Sequence, residues 1–256
     1  MTDYTAVTET WGLPASSEQI AMAYARYALA GDLVEGNRVL ELGCGTGLGL
    51  DYLKRRGARI VVGADYSLKL LLDARRHVTE AHLVRLDAQT LPFADACFDV
   101  VLMLEMAYYL PDLDRALSEV MRVLRRPGRL LVVEPNPQRV DFNPSPLSTW
   151  YPNAVELVAL LGKYANEVRL LAGFPIDDKS GRDRVFAPLR HFAVRRGLIP
   201  RSMRGKAIIK RLLYWRLRRL SGIYPGMTDQ TSLVEIDPRT NESNRFANLY
   251  ALARVG

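Results

Sequence analysis

The chain has 256 residues, 48% of them hydrophobic and 25% charged, the proportions of an ordinary globular protein with enough length to bury a core. No apolar run reaches the roughly 18–20 residues that cross a bilayer, and the first ten residues carry two acids and no base, unlike the start of a signal peptide. The net charge is +7, yet residues 182–219 hold thirteen Lys/Arg against one acid, a local +12 that leaves the remainder at −5.

Ser16 or Ser17 caps a predicted helix over residues 17–30, with Ile20, Ala23, Tyr24 and Tyr27 on one face. From 36 to 135, short β-branched runs alternate with longer amphipathic ones. Residues 38–42, 59–64, 82–86, 98–104 and 129–134 read as strands; 49–56, 67–78 and 112–124 read as helices. Ser67 caps the second of these helices, and Pro127-Gly128 stops the third. Such alternation predicts an α/β fold with a doubly wound, mostly parallel sheet. Residues 136–146, with three prolines and two asparagines, read as a loop. A mixed helical pattern then runs to about residue 224, an insertion before a closing strand at 246–255. Two cysteines, Cys44 and Cys97, offer neither a disulfide framework nor a metal-ligand spacing. No metal is expected, and a reducing cytoplasm is the expected setting.

The first strand runs into ELGCGTG at residues 41–47. Glycines at 43, 45 and 47 let a backbone approach a ligand without Cβ clashes. The dinucleotide fingerprint G-x-G-x-x-G needs a third glycine for helix packing. Leu48, Leu50 or Tyr52 stands at that position in the three registers, so the fingerprint fails in each.

What remains, an acid followed by G-x-G-x-G after a first strand, resembles the first motif of class I S-adenosylmethionine-dependent methyltransferases. The resemblance continues through GADYS at 63–67, LDAQTLPFADACFDVV at 86–101 and RVLRRPGRLLVVEPN at 122–136. It implies a Rossmann-like seven-stranded sheet and S-adenosylmethionine as cofactor. Glu41, Gly43, Cys44, Gly45 and Gly47 would then lie about the methionine tail, and Asp65 with Tyr66 at the ribose. Asp87 and Ala88 would meet the adenine, and Leu104 would lie beside the sulfonium. Glu105, Tyr108 and Tyr109 would be near the reacting centre. The Asn-Pro-Pro-Tyr type motif of amide-methylating relatives is absent, which favours other acceptors.

His191, in the inserted region, suits a general base for a hydroxyl acceptor. His77 and His82 read as structural. The expected layout is one domain: an N-terminal helical segment (1–36), a cofactor-binding core (37–136), a substrate-binding insertion (137–230) and closing strands (231–256). The expected reaction methylates a hydroxyl or carbon of a small metabolite, glycan or lipid-linked intermediate. An RNA methyltransferase and a non-catalytic adenosylmethionine-binding regulator stay open as alternatives. For the imperfectly amphipathic basic stretch at 201–220, a solvated helix, an anionic membrane surface and an anionic acceptor all remain open.

Overall fold

The computed structural model describes residues 3–140, 142–176, 217–228 and 233–256. In chain order the main elements are β1 (Pro14–Ala15), α1 (Ser17–Gly31), β2 (Arg38–Leu42), α2 (Leu50–Arg55), β3 (Ile60–Asp65), α3 (Leu68–Ala74) and β4 (His82–Arg85). They continue with β5 (Phe98–Leu104), α4 (Leu113–Val123), β6 (Leu124–Pro135), α5 (Ala154–Gly162), β7 (Glu167–Pro175), β8 (Arg218–Arg219), β9 (Leu233–Glu235) and β10 (Phe246–Val255).

Local chemistry explains the helix starts. Ser16 and Gln19 form a reciprocal capping box at α1, and Ser67 accepts from Leu70 N–H at α3. Asp112 accepts from Arg115 N–H at α4. Helix α4 ends at Val123, with Leu124 already extended. The stop thus comes four residues before Pro127, earlier than the proline alone suggests.

The main sheet has the order β4-β3-β2-β5-β6-β10-β7-β9. The first five strands are parallel, and β10, β7 and β9 complete the sheet by antiparallel pairing. The doubly wound α/β class is borne out. Among the described residues the main sheet has eight strands rather than seven, because the three-residue β9 adds at the edge beside β7.

Strand β7 also corrects the reading of that region as helical. Its run EVRLLAGFP is short and apolar, and periodicity alone does not separate such a run from a buried helix. Pairing with β10 decides it, from Glu167 opposite Arg254 to Pro175 opposite Phe246.

The central strands bury both faces, so they read as continuous apolar runs rather than alternating ones. Leu40, Leu42, Val101, Met103, Leu130 and Val132 pack with α4 and α5 on one side. Val39, Val100, Leu102, Leu131 and Val133 pack with α1 and α2 on the other. Among the described residues no helix is long and apolar enough to cross a membrane.

Candidate active site

The strand order reverses at β2, whose neighbours β3 and β5 follow it in opposite directions across the sheet. A crevice therefore opens at the carboxyl ends of β2 and β5. It holds a cavity of about 600 Å³, an ordinary size for a small-molecule site.

One end of the cavity is made by the glycine loop and the tips of β3 and β4. Gly43, Gly45 and Gly47 all have positive φ (71°, 57° and 73°), where a Cβ is strained. Gly45 lines the cavity, and its N–H donates to Asp65 Oδ2 at 2.9 Å. Ser67 N–H donates to Asp65 Oδ1 at 2.8 Å. Both oxygens of this buried carboxylate are thus held by backbone, and each keeps a lone pair for a ligand hydroxyl. Gly47 serves packing instead. It is off the cavity wall, and a Cβ there would lie 2.5 Å from Val78 Cγ2.

Beneath the loop, Glu41 Oε1 accepts from Tyr27 O–H at 2.6 Å, while its buried Oε2 has no partner. Burial pushes the Glu41 carboxyl up to about 7, against the opposing pull of the Tyr27 hydrogen bond and the Arg26 charge. Cys44 is buried beside it, and burial raises its thiol well above the ordinary range. That leaves it a neutral filler rather than a nucleophile.

The other end is organised by Arg26, which protrudes from the alanine-rich face of α1 and is 7% exposed. Its guanidinium meets Glu9 at 2.6 Å and Glu105 at 3.3 Å. Burial works against its charge, but the two carboxylates outweigh burial and raise its pKa. Glu105 follows β5 with φ +58°, unusual for a non-glycine residue. It is held there by Glu105 N–H donating to Val133 O at 2.8 Å and by Asn248 Nδ2–H donating to Oε1 at 2.7 Å. Burial raises the Glu105 carboxyl, and Arg26 partly offsets that rise. Tyr108 and Tyr109 follow on a short 3-10 turn, and Tyr109 donates to Ser145 Oγ at 3.0 Å. Burial pushes the Tyr109 hydroxyl up to about 12.

The N-terminal segment closes over the cavity. Trp11 Nε1–H donates to Thr46 O at 2.9 Å, and the Trp11 ring stacks on His77 with centroids 4.3 Å apart. His77 therefore has a packing role, as its position at a helix end suggests. Thr8 and Glu9 line the wall beside Gly45 and Arg26.

The family described as a methyltransferase domain matches residues 40–132. That span contains the glycine loop, Asp65, Asp87 and the tip of β5. Over those residues the chain carries a methyltransferase domain. Over 112 residues, 41% of this chain, it is 44% identical to a fatty-acid O-methyltransferase of Mycolicibacterium smegmatis, covering 39% of that protein. Over 107 residues, again 41% of this chain, it is 42% identical to phthiotriol/phenolphthiotriol dimycocerosates methyltransferase 1 of Mycobacterium ulcerans, covering 40% of it. The matched part thus spans about two-fifths of each of these relatives. The fold is shared with an S-adenosylmethionine-dependent methyltransferase from Mesorhizobium loti at a TM-score of 0.55 and 16% identity, covering 91% of this chain and 99% of that one.

The methyltransferase cavity fits adenosylmethionine chemically. Glu41, with an unpartnered buried oxygen, is suited to the cationic amino group, and Asp65 to the ribose hydroxyls. Nine of the ten sequence-derived cofactor candidates line the cavity: all but Gly47. Asp87 is exposed and bonds Gln89 N–H at 2.9 Å, at the rim. Of the catalytic candidates, Glu105 and Tyr109 line the same cavity; His191 lies outside the described residues. Tyr27 reaches Glu41, whereas Tyr24 packs edge-on against Tyr52, 6.3 Å away and off the cavity wall.

Sequence reasoning missed Arg26, Glu9 and Asn248. A signal existed for Arg26, the one charge within residues 20–30, an otherwise apolar stretch. Glu9 and Asn248 lie far from it in sequence and had none.

The raised Glu41 pKa predicts how affinity responds to pH. A cationic amine binds the ionised carboxylate, so adenosylhomocysteine affinity should rise about tenfold from pH 6 to 8 as Glu41 deprotonates around 7. Calorimetric titration of wild type and Glu41→Gln checks this; the variant should show a flat profile. The sign for stability without ligand is opposite. A carboxyl whose pKa is raised on folding contributes stability that is fully present below about 4.5 and lost as pH rises through about 7.

Proposed function

We propose that the protein transfers a methyl group from adenosylmethionine to a hydroxyl or carbon of a small or lipid-linked acceptor. The observation that carries this reading is the continuity of one cavity between the Asp65–Glu41 end and the Glu105–Tyr109 end. Bound adenosylmethionine supplies a methyl group made electrophilic by its sulfonium. The chain's residues supply orientation and exclude water. Glu41 and Asp65 hold the polar ends of the cofactor, and Leu104 forms the wall between the two halves. Glu105, fixed by Arg26 and Asn248, is placed to take a proton from an acceptor hydroxyl.

Transfer of labelled methyl from adenosylmethionine into an organic extract tests the reading directly. Wild type should turn over, and Asp65→Ala should weaken cofactor binding by about 1.5–3 kcal/mol, the scale of hydrogen bonds to a charged group. Cofactor binding without transfer to any acceptor would instead indicate a regulatory protein.

We further propose that the basic stretch at 182–219 draws the protein to an anionic membrane surface. The sequence supports this with its local +12, and the two relatives above are named for fatty-acid and dimycocerosate substrates. Apart from residues 217–219, the stretch lies outside the described residues. Vesicle sedimentation with anionic lipid should show binding at 0.1 M salt. Binding should be lost toward 1 M, as the Debye length falls from about 10 to about 3 Å, and reduced when Lys210, Arg211 and Arg218 become Gln. No binding at low salt would remove the membrane role.

A further inference from the structure

We propose that the acceptor end of the cavity takes a neutral, planar aromatic compound carrying a hydroxyl group; this rests on the methyltransferase reading and narrows its acceptor. Three observations lead there.

The first is a continuous row of rings along the cavity wall. Tyr4 meets Tyr109 edge-on at 5.3 Å, Tyr109 lies 4.4 Å from Tyr108, and Tyr108 stacks on Tyr151 at 4.5 Å and 22°. Tyr151 meets Phe142 at 4.8 Å. These five rings come from three separate segments of chain, and all of them line the cavity. Ring faces and edges favour a flat π surface over a saturated chain, beyond what burial alone provides.

The second is charge balance. Arg26 sits between the Glu9 and Glu105 carboxylates, and Arg139 and the exposed Glu18 also line the cavity. Arg26 is bonded on both sides, and the charge of Arg139 already acts on Glu105. A carboxylate entering here would lose its hydration and find the Arg26 guanidinium already paired. A neutral molecule avoids that cost.

The third is the sense of the hydrogen bonding. Glu105 accepts from Asn248 Nδ2–H, which settles the orientation of the Asn248 amide. Asn248, 4% exposed, is left with a buried Oδ1 that has no partner. Beside Glu105 the lining therefore offers one buried acceptor oxygen still to be matched, Asn248 Oδ1, and its complement is an O–H donor. At that position a carboxylate would set oxygen against oxygen.

Calorimetric titration of the full chain, with and without adenosylhomocysteine, tests this with three probes: naphthol, its saturated analogue decalol, and decanoate. Naphthol should bind at least about tenfold more tightly than either of the others. Tyr151→Leu and Phe142→Leu, each checked by thermal melting, should weaken naphthol about tenfold while leaving adenosylhomocysteine affinity within about twofold. Two variants are used so that a folding failure in one still leaves a reading from the other. Decalol or decanoate binding as tightly as naphthol, or no naphthol binding at all, would overturn the proposal. If adenosylhomocysteine fails to bind, the methyltransferase reading falls instead, and the naphthol series without it still decides the aromatic site.

Discussion

Replacing Arg26 by Leu is expected to destabilise the protein by about 3–5 kcal/mol, the cost of breaking a buried ion pair by removing one partner. The reason is the company Arg26 keeps. Glu9 and Glu105 both direct carboxylate oxygens at its guanidinium, at 2.6 and 3.3 Å. Without it, the half-buried Glu105 and Glu9 lose the guanidinium between them, and Glu105 keeps only the Asn248 hydrogen bond and the more distant charge of Arg139. Glu105 would then become protonated, or the N-terminal segment carrying Glu9 would leave the cavity; either lowers stability. For a chain of this size the melting temperature should fall by roughly 10 °C. Differential scanning calorimetry reads this directly. Arg56→Ala is the contrast, because its pair with Asp32 is exposed on both sides; such surface pairs contribute about 0–1 kcal/mol. Equal shifts for the two variants would show that Arg26 is not the buried centre of a network.

Gly49→Ala should be comparably severe although only one methyl group is added. The backbone there is ordinary, with φ −110°, so strain is not the cause. Space is. A Cβ at Gly49 would lie 2.0 Å from Cε1 of the Tyr27 ring and 2.3 Å from its Cζ, so the ring must move. Overpacking of this kind costs about 1–3 kcal/mol. Moving the ring also strips Glu41 of the 2.6 Å hydrogen bond from Tyr27, and leaving a buried acceptor unsatisfied costs about 1–3 kcal/mol more. The combined loss should appear in chemical denaturation and be accompanied by weaker adenosylhomocysteine binding. Shortening the ring in Gly49→Ala/Tyr27→Leu should recover part of the stability, and no recovery would refute the steric account.

The two substitutions differ in how far the sequence announced them. Gly49 follows a glycine loop whose spacing ruled out the dinucleotide fingerprint and whose motifs resemble those of adenosylmethionine-dependent methyltransferases, because short-range backbone demands are written locally. A strand, three glycines with positive φ and an acid at the next strand tip lie within residues 38–65. For the same reason the parallel core, the cap at Ser67 and a cap at Ser16 or Ser17 could be read in order along the chain, with the structure choosing Ser16. Strand β7 could not. Its short apolar run suits helix or strand equally, and only its antiparallel partner β10, some eighty residues later, distinguishes them.

By itself, then, the sequence determined the α/β class, since strands and caps rest on neighbours a few positions apart, and its family resemblance picked out nine residues that line the cavity. Tertiary structure alone decided how Arg26, Glu9 and Asn248 gather around Glu105. Arg26, Glu9, Glu105 and Asn248 come from four distant stretches, and their meeting depends on how α1, the N-terminal segment, β5 and β10 pack together. The aromatic row joins residues 4, 108, 109, 142 and 151 in the same way. Long-range contacts of this kind leave no period or spacing in the chain, because what selects them is the shape of the packed core and the need to pair charges buried within it.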